Sequence, residues 1–283
     1  MPESEDNPAA AMAPPVVAPI VSAPVVATVH SLAEFAAATM AETKGGIQRW
    51  FRGTRSASHK LVPSLYRHPT VLEPNGLIEL EWELLSNFRQ QAPPFVGNIP
   101  AKELELLFLM QHYRVPTRLL DWSENPFVAL FFALENCRDE RSGEETDAAV
   151  WLLDPIKMNS IATTGQEGEA RIFGAFADEL DGYRPRREGR AVNRLLPLAI
   201  YGIHNSPRIV AQRGTFTIFG KDITPIESSD KISGVDGCVK KIIVDRNCKT
   251  EVFTDLFGVG ISDSVVYPDL DGLGRELRNR RGF

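Results

Sequence analysis

The chain has 283 residues, a formal net charge of −6, 43% hydrophobic residues and 24% charged residues. That balance suits a globular protein with a full core, and argues against a general-purpose nucleic-acid coat without excluding a local basic groove. Cys137, Cys238 and Cys248 have no paired spacing and the histidines are scattered. Neither a disulfide framework nor a metal motif follows, and a reducing cytoplasm is the expected compartment.

Residues 1–30 read as a disordered Pro/Ala-rich tail, with residues 31–283 as one domain. The tail carries acidic residues where a signal peptide would have a basic start, and prolines interrupt its apolar run. No other apolar run approaches transmembrane length, so no membrane partner is expected. A first helix is predicted over 31–43, with Ser31 as cap, Glu34 three residues on, and Gly45-Gly46 as the stop. Residues 47–53, IQRWFRG, read as a strand. Helices follow over 75–90, with Ile78, Trp82, Leu85 and Phe88 near one face, and over 101–111.

The segment 112–134, HYRVPTRLLDWSENPFVALFFAL, concentrates polar groups in a turn-rich stretch at the entrance of an apolar helix, 126–135, for which Asn125 and Pro126 form a natural start. Each buried polar group there needs a partner, so a site is an economical explanation. A surface loop over 138–146 precedes a strand over 148–154, and 155–194 shows no clear periodicity. Strands are predicted over 196–203, 214–219 and 239–244, then a short helix over 250–256 and a closing segment. Helices followed mostly by strands, without regular βαβ alternation, indicate an α+β class. Neither a dinucleotide-binding glycine fingerprint nor a P-loop is present.

Four constellations carry chemistry, each with a structural reading beside the functional one. Arg52-Gly53 at a strand end offers a phosphate-matching guanidinium beside a backbone that a ligand can approach; the other reading is an edge arginine in water. In the central segment, Arg118, Asp121, Trp122 and Ser123 are candidate site residues; alternatively Asp121 or Ser123 caps the helix and Arg118 pairs with Asp121. His112 is either a site residue or a structural histidine at a helix end. Gln212, before Gly214, can hydrogen-bond a sugar hydroxyl or be an exposed turn amide. Arg184, Arg186, Arg187, Arg190 and Arg194 form either a solvated loop or a nucleic-acid contact surface.

Together these pieces resemble the FRG domain family through Phe51-Arg52-Gly53, the segment LVPSLYR at 61–67, the block MQHYRVPTRLLDWSENPFVALFFAL at 110–134, then DAAVWLLD, RIVAQRGTFT and YPDLDGL in order. The resemblance covers roughly residues 45–275. It implies a layout similar to the ADP-ribosyltransferase fold: a split, mainly antiparallel β core with an NAD cleft. In that scheme a first strand offers Arg52, a second strand with Ser123 leads into a helix, and a third element offers Gln212 near the nicotinamide ribose. The family pattern usually has glutamate at the third position. Gln212 supplies a hydrogen bond but no charge, which could cost several kcal/mol at a cationic centre.

The resemblance thus implies an NAD-dependent mono-ADP-ribosyltransferase acting on a macromolecule, nucleic acid (DNA) ahead of protein, in a toxin or phage-defence context. Catalysis is assigned to Gln212, Arg52 and Asp121. NAD, as substrate, is assigned to Arg52, Gly53, His112, Arg118, Trp122 and Ser123, with Trp122 stacking on nicotinamide. The arginine run would contact nucleic acid. An alternative is a non-catalytic nucleotide- or nucleic-acid-binding module of a defence or toxin–antitoxin system, with an antitoxin or other protein as partner. A third reading is a metal-dependent nuclease using Asp121, Asp154 and Asp269, although their spacing is not clustered.

Overall fold

The computed structural model describes residues 23–135, 146–164, 170–185, 192–203, 206–233 and 237–282. In chain order, β1 (Val25–Val29) precedes α1 (Leu32–Glu42), β2 (Trp50–Thr54), α2 (Pro74–Gln91) and α3 (Glu103–His112). Next come β3 (Leu119–Ser123), α4 (Pro126–Leu134), β4 (Ala148–Leu153), α5 (Pro155–Ala162), β5 (Phe173–Gly174) and β6 (Leu198–Tyr201). The chain continues through α6 (Pro207–Ala211), β7 (Gly214–Ile218), α7 (Asp230–Ser233), β8 (Val239–Val244), α8 (Lys249–Gly258), α9 (Asp263–Val266) and α10 (Leu270–Arg281). The strands form one mixed sheet in the order β1-β8-β4-β2-β3-β7-β6-β5. Pairing is parallel at the two ends, β1 with β8 and β5 with β6, and antiparallel between.

The class is therefore mixed α and β with a mainly antiparallel sheet, but the expected order of helices followed by strands does not hold. The early strands β2 and β3 lie at the centre of the sheet, and helices are interspersed throughout. The expected tail is also corrected at its end. Residues 25–29, VVATV, follow the last proline of that stretch and are rich in β-branched side chains, so they can pair, and they do so with β8. The rest of the expected tail, 1–22, lies outside the described residues. In the stretch without periodicity, Asp154 caps α5 by accepting a hydrogen bond from Lys157 N at 2.9 Å, and Pro155 occupies the first helical position. The capping of α1 by Ser31 is as expected, with Glu34 N donating to Ser31 Oγ at 3.2 Å.

Both sheet faces are covered, which is why β4 reads as an unbroken apolar run. Ala148, Val150 and Leu152 join a core with α4 and α8 on one face. Trp151 and Leu153 join a second core on the other face, with Trp50, Leu120 and Trp122. A third core packs α2 and α3 against β6 and β7. Among the described residues, no helix is long and apolar enough to cross a membrane.

The sheet has a seam. β2 pairs with β4 along its whole length, from Trp50↔Leu153 to Thr54↔Ala149, yet shares only Phe51↔Ser123 with β3. Beyond that pair the two central strands diverge. The half-sheet β1-β8-β4-β2 is thus hinged to β3-β7-β6-β5 at one point.

Candidate functional site at the seam of the sheet

A cleft of about 400 Å³ opens at this seam. Phe51 and Phe132 line it from one core, Phe108 and Phe216 from another. Its volume lies within the roughly 300–1,000 Å³ usual for small-molecule sites. The polar lining comes from three directions: Arg52 on β2, Asp121 and Ser123 on β3, and Gln212 between α6 and β7. Residues far apart in sequence, proposed for one site, are thus brought together.

Arg52 reaches across the seam, and its Nη1 donates to the Asp121 carbonyl at 2.6 Å. The guanidinium thereby satisfies a backbone acceptor that the diverging ladder leaves free. Its Nη1 also lies 3.9 Å from Asp121 Oδ2. Burial pulls Arg52 below the usual arginine range, Asp121 works in the opposite direction, and Arg67 adds to the lowering. The edge-strand reading of Arg52 is excluded, because β2 is central. The Asp121 side chain is exposed on the cleft side and accepts from Gln111 Nε2 at 2.7 Å. Gln111 in turn accepts from Thr117 Oγ1 at 2.6 Å, so the carboxylate is held from the end of α3.

Ser123 is a junction rather than a helix cap. Its hydroxyl donates to the Gln212 carbonyl at 2.6 Å and accepts from Asn125 N at 2.9 Å, while Asn125 itself caps α4. Gln212 closes α6, and its Nε2 donates to the Val266 carbonyl at 3.0 Å. Its amide is therefore anchored, and the exposed-turn reading does not hold. Arg213 next to it (φ 45°) and Arg114 after α3 (φ 62°) are the non-glycine residues with positive φ among those described. Both left-handed positions flank the site, where such strain is commonly kept.

Two assignments need correction, and Gly53 has a packing role besides its place in the cleft. Arg118 pairs with Glu81, not Asp121, and is fully buried. Its Nε donates to Glu81 Oε2 at 2.6 Å, Nη1 to the Phe219 carbonyl at 2.9 Å and Nη2 to the Tyr183 carbonyl at 2.5 Å. With all three nitrogens engaged, it has no reach into the cleft. Trp122 borders the cleft, but the residue is 3% exposed and packs in the opposite core, and its Nε1 donates to Thr217 Oγ1 at 3.1 Å. Little ring surface remains for stacking on a nicotinamide. Gly53 lines the cleft, yet its lack of a side chain serves packing: a Cβ there would collide with the Ala129 carbonyl oxygen and lie 2.6 Å from Ala133 N, both in α4.

His112 ends α3 and lines the cleft. Burial lowers its pKa, Arg208 adds to the lowering and Asp269 opposes it, so the ring favours its neutral form rather than a cation facing the helix dipole. Arg184 pairs with Asp181 at 3.3 Å, while Arg186, Arg187 and Arg190 lie outside the described residues, as does Cys137. The three aspartates of the nuclease reading have separate tasks. Asp154 caps α5 and meets Arg49 at 2.5 Å, and Asp269 caps α10 by accepting from Gly272 N at 2.8 Å. Among the described residues, no group of three His, Cys, Asp or Glu side chains could hold a metal ion.

The sequence reading missed Gln111, Arg114, Glu135 and Arg208, all of which line the cleft. Glu135 follows the last turn of α4 and its Oε2 accepts from the Tyr267 hydroxyl at 2.7 Å. Burial raises its pKa, against the lowering effects of the Tyr267 hydrogen bond and of Arg275, Arg55 and Arg208. A lone carboxylate directly after FFAL was the signal available for it in the sequence.

The family model described as FRG domain matches residues 48–142. That span carries Arg52, His112, Asp121, Ser123 and Glu135, whereas Arg208 and Gln212 lie beyond it. Comparison with the curated proteins and with the solved structures gave no significant match.

Proposed function

We propose that this chain, which belongs to the FRG domain family through residues 48–142, is an NAD-dependent mono-ADP-ribosyltransferase. Its target is a macromolecule, nucleic acid (DNA) ahead of protein, and its setting a toxin or phage-defence system. The observation that carries this reading is the convergence of Arg52, Ser123 and Gln212, from three separate elements, on one cleft where β2 and β3 share a single register pair within the eight-stranded sheet. That arrangement is the one an ADP-ribosyltransferase-like layout calls for.

Arg52 uses Nη1 on the Asp121 carbonyl, and its other nitrogens make no hydrogen bond among the described residues. They are suited to a pyrophosphate oxygen. Gln212 offers its Oε1 to a ribose hydroxyl, because its Nε2 is held by Val266. Glu135 supplies the carboxylate that position 212 lacks. In the reaction, the bond between ribose C1′ and the nicotinamide nitrogen breaks and its electron pair leaves with nicotinamide. A cationic sugar develops, comparable in charge to a glycosidase transition state. A nucleophile of the target then bonds to C1′, and its proton passes to Glu135 or to water. The preference for nucleic acid rests on Arg52, Arg114 and Arg208 in the lining of a cleft whose chain is acidic as a whole.

A second reading has its own observation. Gln212 is uncharged and anchored, which suits a non-catalytic binding module. One experiment separates the two. The full chain is incubated with NAD labelled in its adenylate half and with separate pools of DNA, RNA and protein. The transferase reading expects label in the DNA pool, equimolar nicotinamide release, and loss of both in Arg52→Ala and Gln212→Ala. Calorimetric binding of NAD without release or labelling would establish the module instead.

A further inference from the structure

Arg208 on α6 and Arg275 on α10 both lie over the ring of Tyr267, with guanidinium carbons 4.7 and 4.1 Å from its centroid. Neither guanidinium makes a hydrogen bond or ion pair among the described residues, and both residues are half-buried. Two guanidiniums drawn to one ring concentrate positive charge there, and a cation–π contact leaves their N–H edges available to a further partner. Glu135, the nearby carboxylate, already has its Oε2 engaged by the Tyr267 hydroxyl, and burial disfavours its charged form. Arg208 also lines the cleft, and Arg275 shares its aromatic ring, so the pair stands beside the cleft.

We propose that Arg208 and Arg275, held on Tyr267, form a phosphate subsite beside the cleft, distinct from Arg52. Paired planar forks match the oxygens of a phosphate, with charge-assisted bonds that a single lysine would not orient. The phosphate belongs either to the nucleotide in the cleft or to the backbone of a target strand, and the chemistry of the subsite is the same for both. Its existence does not depend on the transferase reading; only its use for a target strand rests on that reading.

The test is calorimetric titration of the full chain, at low salt, with inorganic phosphate, with NAD and with a short oligothymidylate. Arg208→Gln/Arg275→Gln is expected to weaken inorganic phosphate binding about tenfold, as loss of charge-assisted bonds implies. Parallel loss for NAD identifies the nucleotide as the source, and parallel loss for the oligonucleotide identifies a target strand. Unchanged phosphate affinity in the folded double variant overturns the proposal, as does no phosphate binding by the unaltered chain at millimolar concentration. Should the double variant fail to fold, Arg275→Gln alone is expected to weaken phosphate several-fold, and equal affinity there overturns the proposal as well. Consumption of NAD is read separately, so failure of the transferase reading leaves this outcome distinct.

Discussion

Arg118 and Glu81 form the most enclosed ion pair among the described residues, both side chains being fully buried at 2.6 Å. Burial alone would pull the Arg118 guanidinium down, and Glu81, helped by Tyr66 and Tyr183, turns the balance upward. Glu81 also accepts from Arg118 N at 3.0 Å, so the pair fixes the entry to β3 as well as the side chain. Removing one partner leaves an uncompensated buried charge. Arg118→Ala should therefore cost about 3–5 kcal/mol in urea denaturation, whereas Asp121→Asn, at an exposed side chain, should cost about 0–1 kcal/mol. Comparable losses for the two would remove the distinction between a structural arginine and a cleft-lining aspartate. Glu135 is expected to show itself through pH. Its folded pKa is raised by burial, so the ionised form is lost at a higher pH than for an ordinary glutamate. Transferase activity should fall as pH drops through that raised value, and Glu135→Gln should be slow with that limb flattened. A profile unchanged by the substitution would take Glu135 out of the proton-accepting role.

At the level of elements, the contact of α4 with β2 depends on Gly53. An added methyl meets backbone atoms of Ala129 and Ala133, which cannot rotate away, so α4 must shift. Gly53→Ala should destabilise by about 1–3 kcal/mol or more, and should weaken NAD through displacement of Glu135 at the end of α4. Wild-type stability in thermal unfolding would show that the helix accommodates the methyl. This glycine also illustrates what the sequence made legible. Local signals held: the Ser31 cap, the Asn125-Pro126 helix start, the fully apolar β4 and the strand β8 all appear where their residue patterns put them. The block 112–134 was legible as a candidate site from its cluster of polar groups, and its link with Arg52 and Gln212 came from the family resemblance; the three regions line one cleft. What was not legible depends on partners distant in the chain. Glu81 lies 37 positions from Arg118, and Tyr267 lies 132 positions from Glu135. No local pattern distinguishes an arginine bound to a buried glutamate from one facing a ligand. The same holds for Trp122, whose place is set by strand alternation: Leu120 and Trp122 face one core while Asp121 and Ser123 face the cleft. The strand β1 was hidden for a different reason, since its five residues adjoin a proline-rich stretch that dominated the local composition.

For the whole molecule, the consequence lies in the single register pair that joins the two half-sheets. Arg52 belongs to one half, and Asp121, Ser123 and Gln212 border the other. A ligand held by both sides bridges the seam, adding contacts where the ladder has only Phe51↔Ser123. Binding that is restricted to the folded state stabilises by mass action, by about 2.7 kcal/mol at a ligand concentration 100 times Kd. For a chain of this size that corresponds to a rise in Tm of about 5–8 °C. Saturating NAD should produce such a rise, together with slower amide exchange in β2 and β3 and little change in the edge strands β1 and β5. Arg52→Ala should abolish both effects, because it severs one side of the bridge while leaving Gln212 and its anchor intact. Protection confined to β3 and β7 would mean instead that the ligand sits on one half-sheet, and that Arg52 serves only to close the seam through the Asp121 carbonyl.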